Sequence, residues 1–213
     1  MSNTLHLFEN TIFEGTAVNE AKHAIIMTHG RGDDASKMQQ LVKSLNLADQ
    51  TAIVYPIATN NTWYPTGFMK DWEENQPWLD SALENYGTII KYLNEQGIDT
   101  ENIFLLGFSQ GACLTLEYAT RNAEKYAGIA ILSGGLIGPQ IQMNHYKGDF
   151  KGTEVLIGCS DIDHHIPESR LHESDEVLSS MGANVDKRIY PGMDHIINDD
   201  EIKKVNEMLA SLK

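Results

Sequence analysis

Asn102-Ile103-Phe104-Leu105-Leu106-Gly107-Phe108-Ser109-Gln110-Gly111-Ala112 sets an apolar run against a turn built from glycine and serine. A short continuous run bounded by turn residues suits a strand buried on both faces. The stretch that follows, Ala112 to Tyr126, has helical period. Gly107, Ser109 and Gly111 match G-x-S-x-G, a pattern that composition alone yields in fewer than about one chain in ten of this length. Its position between a strand and a helix gives it a physical meaning. A serine there sits on a sharp, strained bend, and the two glycines let neighbouring backbone approach where a Cβ would clash. The hydroxyl then faces a cleft, and the amides opening the helix point at any oxyanion formed beside it.

Working outward, the same kind of run recurs. Ala24 to His29 ends in Gly30-Arg31-Gly32-Asp33, and Thr51 to Tyr55 ends at Pro56. Ala127 to Leu132 and Glu154 to Gly158 are two more, and Asn184 to Tyr190 reads as extended. Between them, Leu79, Ala82, Leu83, Tyr86, Ile89, Ile90 and Leu93 recur at helical spacing, and Gly97 can close that helix. Glu168 to Met181 and Asp199 to Leu212 are also helical. Residues 5 to 18 are expected to add an edge strand or hairpin. Strand and helix alternate, so the fold class is α/β: a mostly parallel sheet with helices on both faces. No linker divides the chain, which is read as one domain over residues 1–213.

In such sheets ligands sit beyond the carboxyl ends of the strands. A serine hydroxyl needs a base, and His195 lies 86 residues after Ser109, in Tyr190-Pro191-Gly192-Met193-Asp194-His195. Gly158-Cys159-Ser160-Asp161-Ile162-Asp163 offers two carboxylates to orient that imidazole and stabilise its charged form. Asp161 and Asp163 share a face of an extended segment, so alternation alone leaves both open. His29-Gly30-Arg31-Gly32 stands where a backbone N–H can join that of Gln110, making Arg31 and Gln110 the oxyanion donors. Removing one such donor typically costs ~3–4 kcal/mol of transition-state stabilisation. The Arg31 side chain is either solvated or an attractor for an anionic substrate.

Taken together, His29 to Asp33, Gly107 to Ala112, Leu132-Ser133-Gly134, Asp161 to Pro167 and Gly192 to His195 resemble the phospholipase/carboxylesterase group of α/β-hydrolases. That group includes acyl-protein thioesterases and small carboxylesterases. The resemblance runs from Lys22 to Leu212 and implies the α/β-hydrolase fold with no large cap domain. It also implies a serine hydrolase of carboxylic esters or thioesters that uses no cofactor. Carried over, Ser109 is the nucleophile and His195 the base. The group's acid stands four residues before a proline, and counting back from Pro167 gives Asp163. The chain departs from the group at His164, where proline is usual, and at Asp194, where glycine is usual.

Asn60 to Trp72 is dense in aromatics for a chain with 8% of them, and Trp63, Tyr64, Phe68 and Trp72 are expected to line the substrate pocket. His164, His165 and His172 lack a regular ligand spacing, so no metal is expected. Cys113, four residues after Ser109, reads as a small core residue.

The formal charge of −14 repels phosphate backbones and anionic bilayers, excluding nucleic acid as an expected partner. No apolar stretch approaches the ~20 residues of a membrane span, so stable membrane insertion is not expected. Met1 to Asn10 shows no leader pattern, and two cysteines are too few for a secreted scaffold. A cytoplasmic protein is expected. A homodimer stays open, because nothing in the sequence sets the oligomeric state. Two other readings compete: a non-catalytic small-molecule receptor on the same fold, and an enzyme resembling dienelactone hydrolases, against which a serine nucleophile argues.

Overall fold

The computed structural model describes residues 5–212. Lys213 and the first four residues of the stretch read for a leader lie outside them. Seven strands form one sheet: β1 (Ile12–Gly15), β2 (His23–Thr28), β3 (Thr51–Tyr55), β4 (Ile103–Phe108), β5 (Gly128–Leu132), β6 (Glu154–Ser160) and β7 (Asn184–Tyr190). Their order is β1-β3-β2-β4-β5-β6-β7. All neighbours pair parallel except β1 with β3, where Ile12 faces Tyr55 and Gly15 faces Ala52. The segment expected as an edge strand or hairpin is therefore an edge strand, paired to a strand some forty residues on. Five helices cover the sheet: α1 (Ala35–Leu41), α2 (Trp78–Glu95), α3 (Gln110–Arg121), α4 (Glu168–Ser180) and α5 (Asp199–Leu209).

The continuous apolar run in β4 is explained by two core layers. Ile103 and Leu105 face the layer that α2 and α3 complete with Leu79, Tyr86, Ile89 and Leu116. Phe104 and Leu106 face the opposite layer, which holds Met38 of α1 and Val205, Met208 and Leu209 of α5. All four β4 residues are fully buried. Each such side chain contributes roughly 1.5–3 kcal/mol by leaving water, so a strand covered on both sides has no polar position to alternate with.

Helix boundaries differ from expectation in an informative way. α3 opens at Gln110, not Ala112, so the helix begins directly behind the serine. It stops at Arg121 because Asn122 leaves helical geometry at φ −131°, ψ 52°. The chain then lets the Tyr126 N–H donate to Thr153 Oγ1. α1 carries no long periodic stripe and escapes a reading by period. Asp34 starts it, its side chain accepting the Ser36 N–H at 2.8 Å. Gly97, at φ +96°, closes α2 and lets the Ile98 N–H reach the Leu93 carbonyl. Among the described residues, no helix is long and apolar enough to cross a membrane.

Candidate active site

Ser109 stands between β4 and α3 at φ 55°, ψ −122°, a region that costs a non-glycine residue of order 1–3 kcal/mol. Its surroundings enforce this. The Ser109 N–H donates to Leu132 O at 3.0 Å, and its carbonyl accepts the Cys113 N–H at 3.0 Å. Both motif glycines are spatially obligatory. A Cβ on Gly107 would lie 2.6 Å from Gly111 O, and one on Gly111 would collide with the carbonyls of Thr28 and His29.

The bend turns Ser109 Oγ toward the loop after β7. Ser109 Oγ–H donates to His195 Nε2 at 2.8 Å, and His195 Nδ1–H donates to Asp163 Oδ2 at 2.6 Å. The tautomer follows from the partners: a carboxylate accepts only, so the ring proton sits on Nδ1 and leaves Nε2 to accept. The Asp163 side chain is fully buried, and that of His195 is 22% exposed. Burial alone would push the Asp163 carboxyl up. The bond from His195, the N–H groups of His165 (2.8 Å) and Ile166 (3.1 Å) and the Cys159 thiol (3.3 Å) outweigh it. They hold the carboxyl below its ordinary value, in its ionised form.

Asp161, the other carboxylate left open by alternation, does something different. Its Oδ1 accepts the Gly192 N–H at 2.8 Å, pinning the loop that carries His195. Asp194 is exposed.

Arg31 and Gln110 converge on the cavity that also contains Ser109 and His195. Among the described residues, neither main-chain N–H donates to a protein acceptor. Their side chains brace the aromatic segment instead. Gln110 Oε1 accepts the Trp63 N–H at 2.9 Å, and its Nε2 donates to Tyr64 O at 2.7 Å. The Arg31 guanidinium donates to Tyr64 O at 2.9 Å, to Pro65 O at 2.8 Å and to Thr66 O.

Two of the four expected pocket aromatics are elsewhere. Tyr64 and Phe68 line the cavity of about 270 Å³; Trp63 and Trp72 do not. Trp63 is buried between two imidazoles, 5.4 Å from His6 and 5.0 Å from His29, and its Nε1–H donates to His29 O at 2.8 Å. Trp72 packs on Gly138, His145 and Arg121, fastening residues 134–146 away from the cavity. A dense aromatic segment must cover its own backbone as well as line a pocket, and composition does not separate the two duties.

Sequence reasoning placed His29 in the turn motif without a role for its side chain, and missed His6. His29 Nε2 accepts the Ala58 N–H at 3.2 Å, so its Nδ1–H donates to Gly30 O at 2.8 Å and steadies the turn bearing Arg31. His6 Nδ1 accepts the Thr59 N–H, and its Nε2–H donates to Trp63 O. Burial keeps both imidazoles below their ordinary pKa and neutral. An imidazole at the end of a buried apolar run was the available signal for His29; His6 left none. His165 lines the cavity beside His195, while His172 pairs with Glu168 and Lys187 on α4 and β7. Among the described residues, no three His, Cys, Asp or Glu side chains converge as metal ligands.

A mostly parallel sheet with this strand order and a serine bend at the end of β4 define the α/β-hydrolase fold, and likeness to ester hydrolases over nearly the whole chain makes this one a carboxylic ester hydrolase. More narrowly, the chain belongs to the phospholipase/carboxylesterase family, whose model matches residues 15–213. It is similar to a phospholipase/carboxylesterase of Dyadobacter fermentans, with 47% identity, a TM-score of 0.94, and 99% of this chain and 100% of that chain covered. Acyl-protein thioesterase 1 of Saccharomyces cerevisiae is 28% identical over 87% of this chain and 91% of its own. Lysophospholipase-like protein 1 of Mus musculus is 23% identical over 88% and 86%.

Proposed function

We propose that this chain is a single-domain serine hydrolase that cleaves carboxylic esters or thioesters through an acyl-enzyme, with Ser109, His195 and Asp163 as its triad. The carrying observation is the continuous relay of 2.8 Å and 2.6 Å from Ser109 Oγ through His195 to a buried, ionised Asp163. His195 Nε2 takes the hydroxyl proton as Oγ attacks the acyl carbon, and Asp163 stabilises the imidazolium that forms. The carbonyl oxygen, now an oxyanion, accepts from the N–H groups of Arg31 and Gln110. His195 Nε2–H then protonates the departing alcohol or thiol. Water attacks the acyl-enzyme by the same steps in reverse roles and releases the acid. Tyr64 and Phe68 wall the acyl or alcohol side, and a cavity of about 270 Å³ lies at the small end for ligand pockets.

The test is labelling with a fluorophosphonate. Wild type is expected to take up one probe per chain and Ser109→Ala none. Equal labelling of both proteins would place the reactive nucleophile elsewhere, and no labelling of either would favour a receptor that binds without catalysis.

A further inference from the structure

The chain has four arginines, and three of them face carboxylates. Arg121 pairs with Glu117, Arg170 with Glu173, and Arg188 with Asp186 and Asp200. Arg31 is the exception: among the described residues no carboxylate lies within ion-pair distance of it. In a chain with 30 acidic and 16 basic side chains, an unpaired guanidinium is not what random surface pairing would leave. Its nearest acidic neighbour in sequence, Asp33, is engaged with Lys37 at 3.7 Å.

What holds Arg31 is neutral. Three main-chain carbonyls, of Tyr64, Pro65 and Thr66, accept from its two terminal nitrogens, and its Cζ lies 5.9 Å from the Tyr64 ring centroid. Carbonyls and an aromatic ring fix the orientation of a guanidinium without cancelling its charge. Three of its five N–H groups are so used, which leaves Nε–H and one Nη–H as donors. Arg31 is exposed and lines the cavity containing Ser109 and His195, and its guanidinium is bonded to the carbonyls of two further lining residues, Tyr64 and Thr66. A planar, pre-oriented cation with spare donors is the arrangement that recognises a carboxylate. The N-terminus of α3, which opens at Gln110, adds favourable potential for an anion in the same cavity. Against it stand the exposed Asp194 and the ionised Asp163, the latter screened by His195.

We propose that Arg31 is a substrate-binding residue selecting esters that carry a carboxylate a few atoms from the scissile bond. This deepens the serine-hydrolase reading and rests on it. The role is separate from that of the Arg31 main-chain N–H, which faces the oxyanion.

The test compares initial rates on two matched pairs with the full chain. Monomethyl against dimethyl succinate places the carboxylate on the acyl side; acetoxyacetate against methyl acetoxyacetate places it on the alcohol side. In at least one pair, wild type is expected to favour the anionic ester in kcat/KM by about tenfold, the lower end for hydrogen bonds to charged groups. Arg31→Gln is expected to bring that ratio to about one, and Arg31→Lys to retain part of it. Loss of the brace on residues 64–66 lowers both rates in Arg31→Gln, so the ratio is the readout. Raising salt from about 0.05 to about 0.5 M is expected to shrink the wild-type ratio, an arm that needs no variant. Neutral esters turned over as fast as their anionic partners, with a ratio unmoved by Arg31→Gln or salt, would overturn this proposal and leave the serine hydrolase standing. No turnover of any of the four esters by a chain whose Ser109 is still labelled by the fluorophosphonate would overturn this proposal alone, and no turnover together with no labelling would overturn both.

Discussion

Two aspartates one residue apart carry unequal duties, and the difference lies in which oxygen meets which donor. Asp163 accepts from His195 Nδ1 and from the N–H groups of His165 and Ile166. Asp161 accepts from Gly192 N–H and holds the loop beneath the imidazole. Asp163→Asn is expected to leave the fold intact and lower kcat by about 10³–10⁴-fold, since an amide that donates to Nδ1 selects the wrong tautomer. Asp161→Ala removes one loop anchor and no charge from the relay, so a loss of roughly three- to tenfold is expected, about 0.7–1.4 kcal/mol of barrier. Steady-state kinetics on one nitrophenyl ester decides it; equal losses in both variants would contradict the division of roles. Both carboxylates were legible as candidates from their place after an apolar run. Alternation left the choice open and the family resemblance, counted back from Pro167, pointed to Asp163; what the sequence did not show is the turn at 161–162, which sends two residues of one expected face in different directions.

At the level of elements, α5 carries a titration opposite in sign to those of the buried histidines. Glu201 is fully buried at its N-terminus, in a capping box with Asn198: each side chain accepts the other residue's N–H, at 3.0 and 2.9 Å. Its Oε1 has no partner and abuts Gly158. Burial pushes its pKa up to about 7, whereas in an unfolded chain a glutamate titrates near about 4.3. Between those values the folded form binds more protons, so this residue's contribution to stability rises as pH falls from about 7. His6 and His29 work the other way. Their folded pKa values are depressed by burial, so below the ordinary imidazole pKa the unfolded chain binds more protons and stability falls. Glu201→Gln keeps an acceptor for Asn198 and removes only the first effect. Its melting temperature relative to wild type is expected to be higher at pH 8 than at pH 5.5, and a difference independent of pH would exclude a buried charge. None of these titrations was legible in the sequence, where Glu201 reads as one more acid on an amphipathic helix.

Across the whole molecule, one sheet separates two apolar layers and gathers the ends of β2, β4, β6 and β7 at one edge. Ile131 is fully buried in β5, between the serine strand and the strand leading to Asp163. Ile131→Ala is expected to cost roughly 2–5 kcal/mol, read as a lower urea midpoint with an unchanged slope. A shift under about 0.5 kcal/mol, the range of surface substitutions, would mean the layer repacks freely. The chain's own pattern determined the parallel sheet, because a strand buried on both faces has no polar positions and advertises itself as an apolar run. It also determined the serine bend, because only glycine fits where Gly107 and Gly111 meet backbone. The tertiary structure alone decided that Trp63 and Trp72 pack away from the cavity, that Asp161 anchors a loop, and that Arg31 is held by carbonyls with its charge unpaired. Those facts depend on which groups meet across dozens of residues, and local periodicity carries no record of such meetings.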